Sequence, residues 1–293
     1  MKWLALPLVL LLAPVSARAP MPPAAHPALW KLADADTTIY LFGTVHVLPA
    51  GYRWRDPAID RAIASAQSLT LETILDEEPG RVARALTALG RQDGLPPLIG
   101  RVPLKRRAAL AKLMKASGLP ATTLDGFKTW AAAIVLTGPA LAQIGIAAGG
   151  DNGVEPQLTS TFRGAGKPVD GLETPEQQLG YFDALPEAAQ REFLSETVDD
   201  PVRTRKDFAD MLRAWSSGNV SAIARAFAED AEFTPALREL LVRRRNRMWT
   251  AALAKRLDKP GIAFVAVGAG HLAGPESLQA MLAAKGLHVV RVQ

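Results

Sequence analysis

Thr38-Ile-Tyr-Leu-Phe-Gly43-Thr-Val-His46, followed by Asp56-Pro57 and then Ser68-Leu-Thr-Leu-Glu72, is the stretch that decides the fold. Residues 38–42 are β-branched, aromatic and apolar, which is strand composition. Residues 57–67 read as a helix, with Asp56 as N-cap and Pro57 at the first helical position. Residues 68–72 make a second short strand. Strand, helix, strand at this spacing is a βαβ unit, which favours a parallel pair.

The rest of the chain extends this unit. Residues 78–162 turn helical, with helices expected at 79–90, 103–115, 127–143 and 153–162; Pro139 should kink or break the third. Residues 167–173 return to a strand. A second helical stretch runs from 174 to about 257 and ends at the turn Lys259-Pro-Gly261. Residues 262–267 are the most convincing buried strand, 275–284 a helix and 288–292 a final strand. The expected fold class is α/β: a mixed or mostly parallel central sheet carrying a large helical subdomain from about 78–162 and 174–257.

The N-terminus carries a separate signal. Met1-Lys2, an apolar stretch from Trp3 to Val15 and Ser16-Ala17-Arg18-Ala19 have the form of a secretory signal peptide over residues 1–19. The apolar stretch is too short for a comfortable membrane span. The chain has no cysteine, so no disulfide framework is available. The expectation is a bacterial periplasmic or secreted protein with a domain over residues 20–293 and no stable membrane span after cleavage. Residues 20–27 are a Pro/Ala-rich lead-in. The net charge of +5 is mild and aromatics are 6%, which argues against a nucleic-acid partner.

Four histidines occur in the chain, and two share one context. Gly43-Thr-Val-His46 and Gly268-Ala-Gly-His271 each end an apolar β-run, where open α/β sheets gather catalytic groups. One such histidine alone reads best as a strand-end residue bonded to backbone; two copies shift the balance toward a shared site. Neutral imidazole serves as metal ligand or general base. Glu72 and Glu173 also stand at expected strand ends. Glu173 is not needed for the capping box that Thr174 and Gln177 form with Pro175. In the run Arg243-Arg-Arg-Asn-Arg247, a helical wheel through Leu237, Leu241, Met248 and Ala252 puts Arg245 near the inward stripe and Arg244 at its margin, and turns Asn246 outward. A buried Arg245 needs an anionic partner, either the glutamates or a substrate oxyanion. His26 and His288 receive no role. Gly-x-Ser-x-Gly, His-Glu-x-x-His, phosphate-loop and dinucleotide motifs are absent.

Leu41-Phe-Gly-Thr-Val-His46, Leu69-Thr-Leu-Glu72, Asn152-Gly-Val-Glu155, Gly166-Lys-Pro-Val-Asp-Gly-Leu-Glu-Thr-Pro-Glu-Gln-Gln178, Arg245-Asn-x-x-Trp249 and Val267-Gly-Ala-Gly-His271 together resemble the TraB/PrgY/GumN family, which includes the TIKI proteases. Glu155 stands where the family often has an aspartate. The resemblance implies an α/β core related to erythromycin-esterase-like and ChaN-like proteins. It also implies a site of His46, His271, Glu72 and Glu173, and a metal-dependent peptidase with manganese or cobalt; mixed N/O ligands suit zinc as well. The leading expectation is therefore an exported metal-dependent hydrolase of a peptide or small-molecule substrate. In it the four residues hold the metal or move protons, and Arg245 stabilises an oxyanion or holds a glutamate. The rivals are a peptide-sequestering protein without catalysis and a metal-free, esterase-like hydrolase with histidine as base.

Overall fold

The computed structural model describes residues 25–74, 78, 80–146, 152–198, 200–229 and 234–293. The expected signal peptide lies outside the described residues. Six strands form one sheet: β1 (Leu29–Ala33), β2 (Thr37–Thr44), β3 (Ser68–Thr73), β4 (Val169–Glu173), β5 (Gly261–Gly268) and β6 (Val289–Arg291). Their order is β4-β3-β5-β2-β1-β6. β4, β3, β5 and β2 run parallel, whereas β1 is antiparallel to both its neighbours. This is the mostly parallel α/β sheet expected.

β1 was not anticipated. Residues 20–27 read as lead-in and residue 38 opens the first expected element, yet residues 29–33, between them, pair along their whole length with β2. A tight turn makes this possible: Asp34 Oδ1 accepts from the Asp36 and Thr37 amides. An Asx-type turn of this kind is a local device that strand periodicity does not register.

The helices are α1 (Pro57–Ser65), α2 (Arg81–Gly90), α3 (Arg107–Ala116), α4 (Ala121–Asp125), α5 (Thr129–Gln143), α6 (Val154–Gly164), α7 (Pro175–Asp183), α8 (Glu187–Thr197), α9 (Pro201–Ser216), α10 (Val220–Glu229), α11 (Pro235–Arg238), α12 (Arg244–Arg256) and α13 (Leu278–Ala283). Both anticipated N-terminal caps form: Asp56 accepts from the Ala58 and Ile59 amides, and Thr174 with Gln177 closes a capping box. Pro139 lies inside α5 without breaking it. Its ring removes one donor, but Trp130, Ala131, Ala132, Ala133 and Leu136 are buried, and packing overrides the local preference.

The sheet is covered on both faces, as parallel sheets are. Along β5, Phe264 and Ala266 enter one core, with α1, α6, α9 and α10, while Val265 and Val267 enter the other, with α12 and α13. This is the two-residue alternation of a strand. The long helical stretches divide accordingly. α6, α9, α10 and α12 pack on the sheet, whereas α2, α3, α5 and α8 build a separate apolar cluster of their own.

Candidate active site

The carboxyl ends of the four parallel strands carry the residues singled out by sequence. Across the sheet, Glu173 ends β4, Glu72 lies near the end of β3, His271 follows β5 and His46 follows β2. Two paired positions align the ends: Thr73 with Glu173, and Thr44 with Gly268.

The two repeated glycines do different work. A methyl group on Gly43 would stand 3.1 Å from Ala269 Cα, so Gly43 lets the two Gly-x-x-His segments touch. A methyl on Gly268 would stand 3.1 Å from Glu72 Oε1, 3.7 Å from His271 Cδ2 and 4.0 Å from His46 Nε2. Three site residues therefore face one glycine. The carbonyl of Gly43 is fixed by Trp215 Nε1 at 2.8 Å, which anchors the end of β2.

Arg245 lies at the centre. Its Nη2 donates to Glu72 Oε2 at 2.7 Å and to Glu173 Oε2 at 2.9 Å, and its Nε donates to Glu173 at 3.1 Å. Nη1 donates to the Leu241 carbonyl and reaches His271 Nε2, both at 3.3 Å. Every N–H of the guanidinium is thus used inside the protein. Arg245 holds both glutamates and has no donor left for an oxyanion. The Trp249 ring lies 4.6 Å beneath it.

Asn246 corrects the helical wheel. It is fully buried, not outward, whereas Met248, placed on the inward stripe, is exposed. The reason is a π-helical turn, Glu239–Arg243, between α11 and α12. One extra residue in that turn advances the buried stripe to Arg245, Asn246, Trp249 and Leu253. The Asn246 amide donates to the carbonyls of Glu276 at 2.7 Å and His271 at 3.2 Å. With Nδ2 so used, Oδ1 accepts from His271 Nδ1 at 2.7 Å. His271 therefore carries its proton on Nδ1 and turns the Nε2 lone pair to Arg245. Burial, with Arg245 beside it, lowers His271 to about 4, so it is neutral at pH 7.

His46 has the opposite setting. Its Nδ1 lies 2.6 Å from Glu155 Oε1, and its side chain is 71% exposed. Glu155 is the main site residue that sequence reasoning did not place. Its signal was the Gly153-Val-Glu155 piece, but nothing local ties it to His46. Thr44 Oγ1 donates to the same carboxylate oxygen at 2.6 Å. The 152–154 segment is held against the residues on either side of His46 by two backbone bonds, Leu48 N to Asn152 O and Val154 N to Val45 O. The Glu155 carboxylate raises His46 to about 9. Burial alone would raise Glu155, but His46 and Thr44 outweigh it and lower it.

The glutamates differ too. Burial works against the charge on Glu72, yet the facing His271 and Arg245 outweigh it and hold the carboxyl at about 2. At the acid pH where Glu72 titrates, His271 is itself protonated, and Arg245 and the Gly268 amide, which donates to Oε1 at 2.6 Å, act in the same direction. Burial raises Glu173 in spite of Arg245.

Among the described residues, no group of three or more His, Asp or Glu side chains stands so that it could hold a metal ion. The four-ligand set implied by the resemblance does not fit as it stands. Glu72, Glu173 and His271 Nε2 all turn to the guanidinium of Arg245, and a cation in their midst would meet a fixed positive charge. No helix among the described residues is long and apolar enough to cross a membrane.

The model of the TraB/PrgY/gumN family matches residues 28–291. Comparison with curated proteins and with solved structures returns no match.

Proposed function

The chain belongs to the TraB/PrgY/gumN family, and we propose that it is an exported hydrolase of peptide or ester bonds that works through a His46–Glu155 pair beside a fixed Arg245 cluster. The observation that carries this reading is the 2.6 Å contact of His46 Nδ1 with Glu155, on an imidazole otherwise open to solvent. A carboxylate at Nδ1 orients the ring, makes Nε2 the free nitrogen and stabilises the imidazolium.

In the proposed reaction, Nε2 of neutral His46 takes a proton from water as the water oxygen bonds to the substrate carbonyl carbon. The tetrahedral species then breaks its bond to the leaving group, which receives that proton from the imidazolium. Glu155 stays ionised throughout. Arg245, Glu72 and Glu173 keep the floor of the site rigid, and neutral His271 adds no charge to it.

The test is turnover of a panel of esters and short peptides by wild type and His46→Ala, before and after chelation. A general base contributes about 10²–10⁴-fold, so His46→Ala should lose that much with folding intact, and chelation should change nothing. Turnover abolished by chelation and restored by manganese, cobalt or zinc would replace this mechanism with the metal-dependent one. Tight peptide binding with no turnover by wild type would replace it with sequestration. The pH profile is a second check. His46 titrates near 9, so turnover should rise with pH up to that value. Glu155→Gln should bring the limb back toward the ordinary histidine range, about 6.5.

A further inference from the structure

The chain's positive charge is concentrated in one place. From Gly94 through Leu124 the sequence carries Arg101, Lys105, Arg106, Arg107, Lys112 and Lys115 and no Asp or Glu. Those six cations exceed the net charge of +5 for the whole chain, so the remainder is close to neutral. Arg101 is buried and spent on the carbonyls of Pro96, Asp125 and Phe127. Most of the others are not spent: no ion pair to a described residue engages Lys105, Arg107, Lys112 or Lys115.

α3 arranges these charges on one side. Leu110 and Leu113 point into the helical cluster, while Arg107, Ala108, Ala111, Lys112 and Lys115 are exposed. At 3.6 residues per turn these five share one arc, and only alanines lie between the cations. Each end of α3 presents a leucine to solvent: Leu104 is 78% exposed and Leu119 40%. Leu104 thus stands in solvent beside Lys105 and Arg107. Cations that meet headgroups, with apolar side chains that enter the acyl boundary, are what a peripheral membrane surface requires.

We propose that the outward face of α3, with Leu104 and Leu119, docks on a bilayer of anionic phospholipids. The occupant follows from charge complementarity for the cations and from the two exposed leucines, which a nucleic-acid duplex would leave without a partner. The inference is independent of the hydrolase reading.

The experiment is co-sedimentation of the exported form, residues 20–293 without the expected signal peptide, with vesicles of phosphatidylcholine alone and with phosphatidylglycerol added, at about 0.1 M salt, where the Debye length is about 10 Å. Binding should appear only with the anionic lipid and fall as salt rises. Each cation contributes about fivefold, so K105Q/K112Q/K115Q should bind roughly a hundredfold more weakly. Leu104→Ser should weaken binding while leaving its salt dependence unchanged. Thermal melts should place both variants at the wild-type midpoint, since every substituted residue is exposed. Equal binding to both vesicle compositions, no binding to either, or unaltered binding by the triple variant would overturn the proposal. So would capture by duplex DNA in preference to anionic vesicles with Leu104→Ser indifferent, which would assign the face to nucleic acid.

Discussion

His46 and His271 close the same four-residue motif, and their environments are opposites. His46 is exposed, touches a carboxylate through Nδ1 and is raised to about 9. His271 is buried, touches an amide oxygen through Nδ1 and is lowered to about 4. The motif brings two imidazoles to one edge of a sheet. What stands at Nδ1, and how much water reaches the ring, then decides which chemistry each can perform.

The strongest way to break this contrast is Arg245→Leu. It leaves Glu72 and Glu173 buried without their cation, and losing one partner of a buried ion cluster costs about 3–5 kcal/mol. Denaturant unfolding should register that loss, and a stability unchanged within error would mean that the cluster does not hold the strand ends together. Next comes Gly153→Ala, whose methyl would collide with the His46 carbonyl oxygen. A displacement of about 1 Å at a reacting group can cost on the order of 10²-fold in rate. We expect kcat to fall by at least that order and the melting midpoint to fall with it, since the methyl meets backbone, and an unaltered kcat would detach His46 from the chemistry.

A smaller effect separates the histidines from the other side. Asn246→Ala deprives His271 Nδ1 and two carbonyls of their partner, at about 1–3 kcal/mol. Nitrogen NMR of the His271 ring should then show mixed tautomers in place of one. A ring that stays wholly Nδ1-protonated would sink the tautomer assignment.

The smallest and most diagnostic effect lies in the pH dependence of stability. His271 has its pKa lowered on folding, so its contribution is complete above about 6.5 and is lost as pH falls toward about 4. Glu72 adds to the same acid limb, with loss between 4.5 and about 2. His46 has its pKa raised, so its contribution is complete below about 6.5 and is lost as pH rises through about 9. His46→Ala should flatten the alkaline limb and, by releasing Glu155, weaken part of the acid limb as well. His271→Ala should change the acid limb alone, through its own titration and that of Glu72; an alkaline limb that moves with His271→Ala would erase the distinction.

Much of this site was legible in the sequence because its signals are local. Strand composition places 38–42, 68–72 and 262–267, and a parallel sheet brings their carboxyl ends to one edge. The strand-end reading of Glu72, Glu173, His46 and His271 needs no more than that. The rest depends on long-range or irregular geometry. Glu155 reaches His46 across a separation of 109 residues, so no periodicity announces the pair. Asn246 was turned outward because a uniform wheel cannot foresee a π turn. Arg245 read correctly as an inward cation in need of anions, but that it would spend all its donors on two glutamates, a carbonyl and a histidine is a property of the packed state.

The strand order has a consequence for timing. β5 lies between β2 and β3, yet it follows both of them, and β4 as well, in the chain. Until it arrives, the first two parallel strands have no common neighbour, and the edges that will carry His46 and Glu72 remain apart. Closing this gap joins segments distant in sequence, which makes it a slow event in folding. A growing chain therefore holds its reactive groups separated, and assembles them only when β5 is threaded into the middle of the sheet.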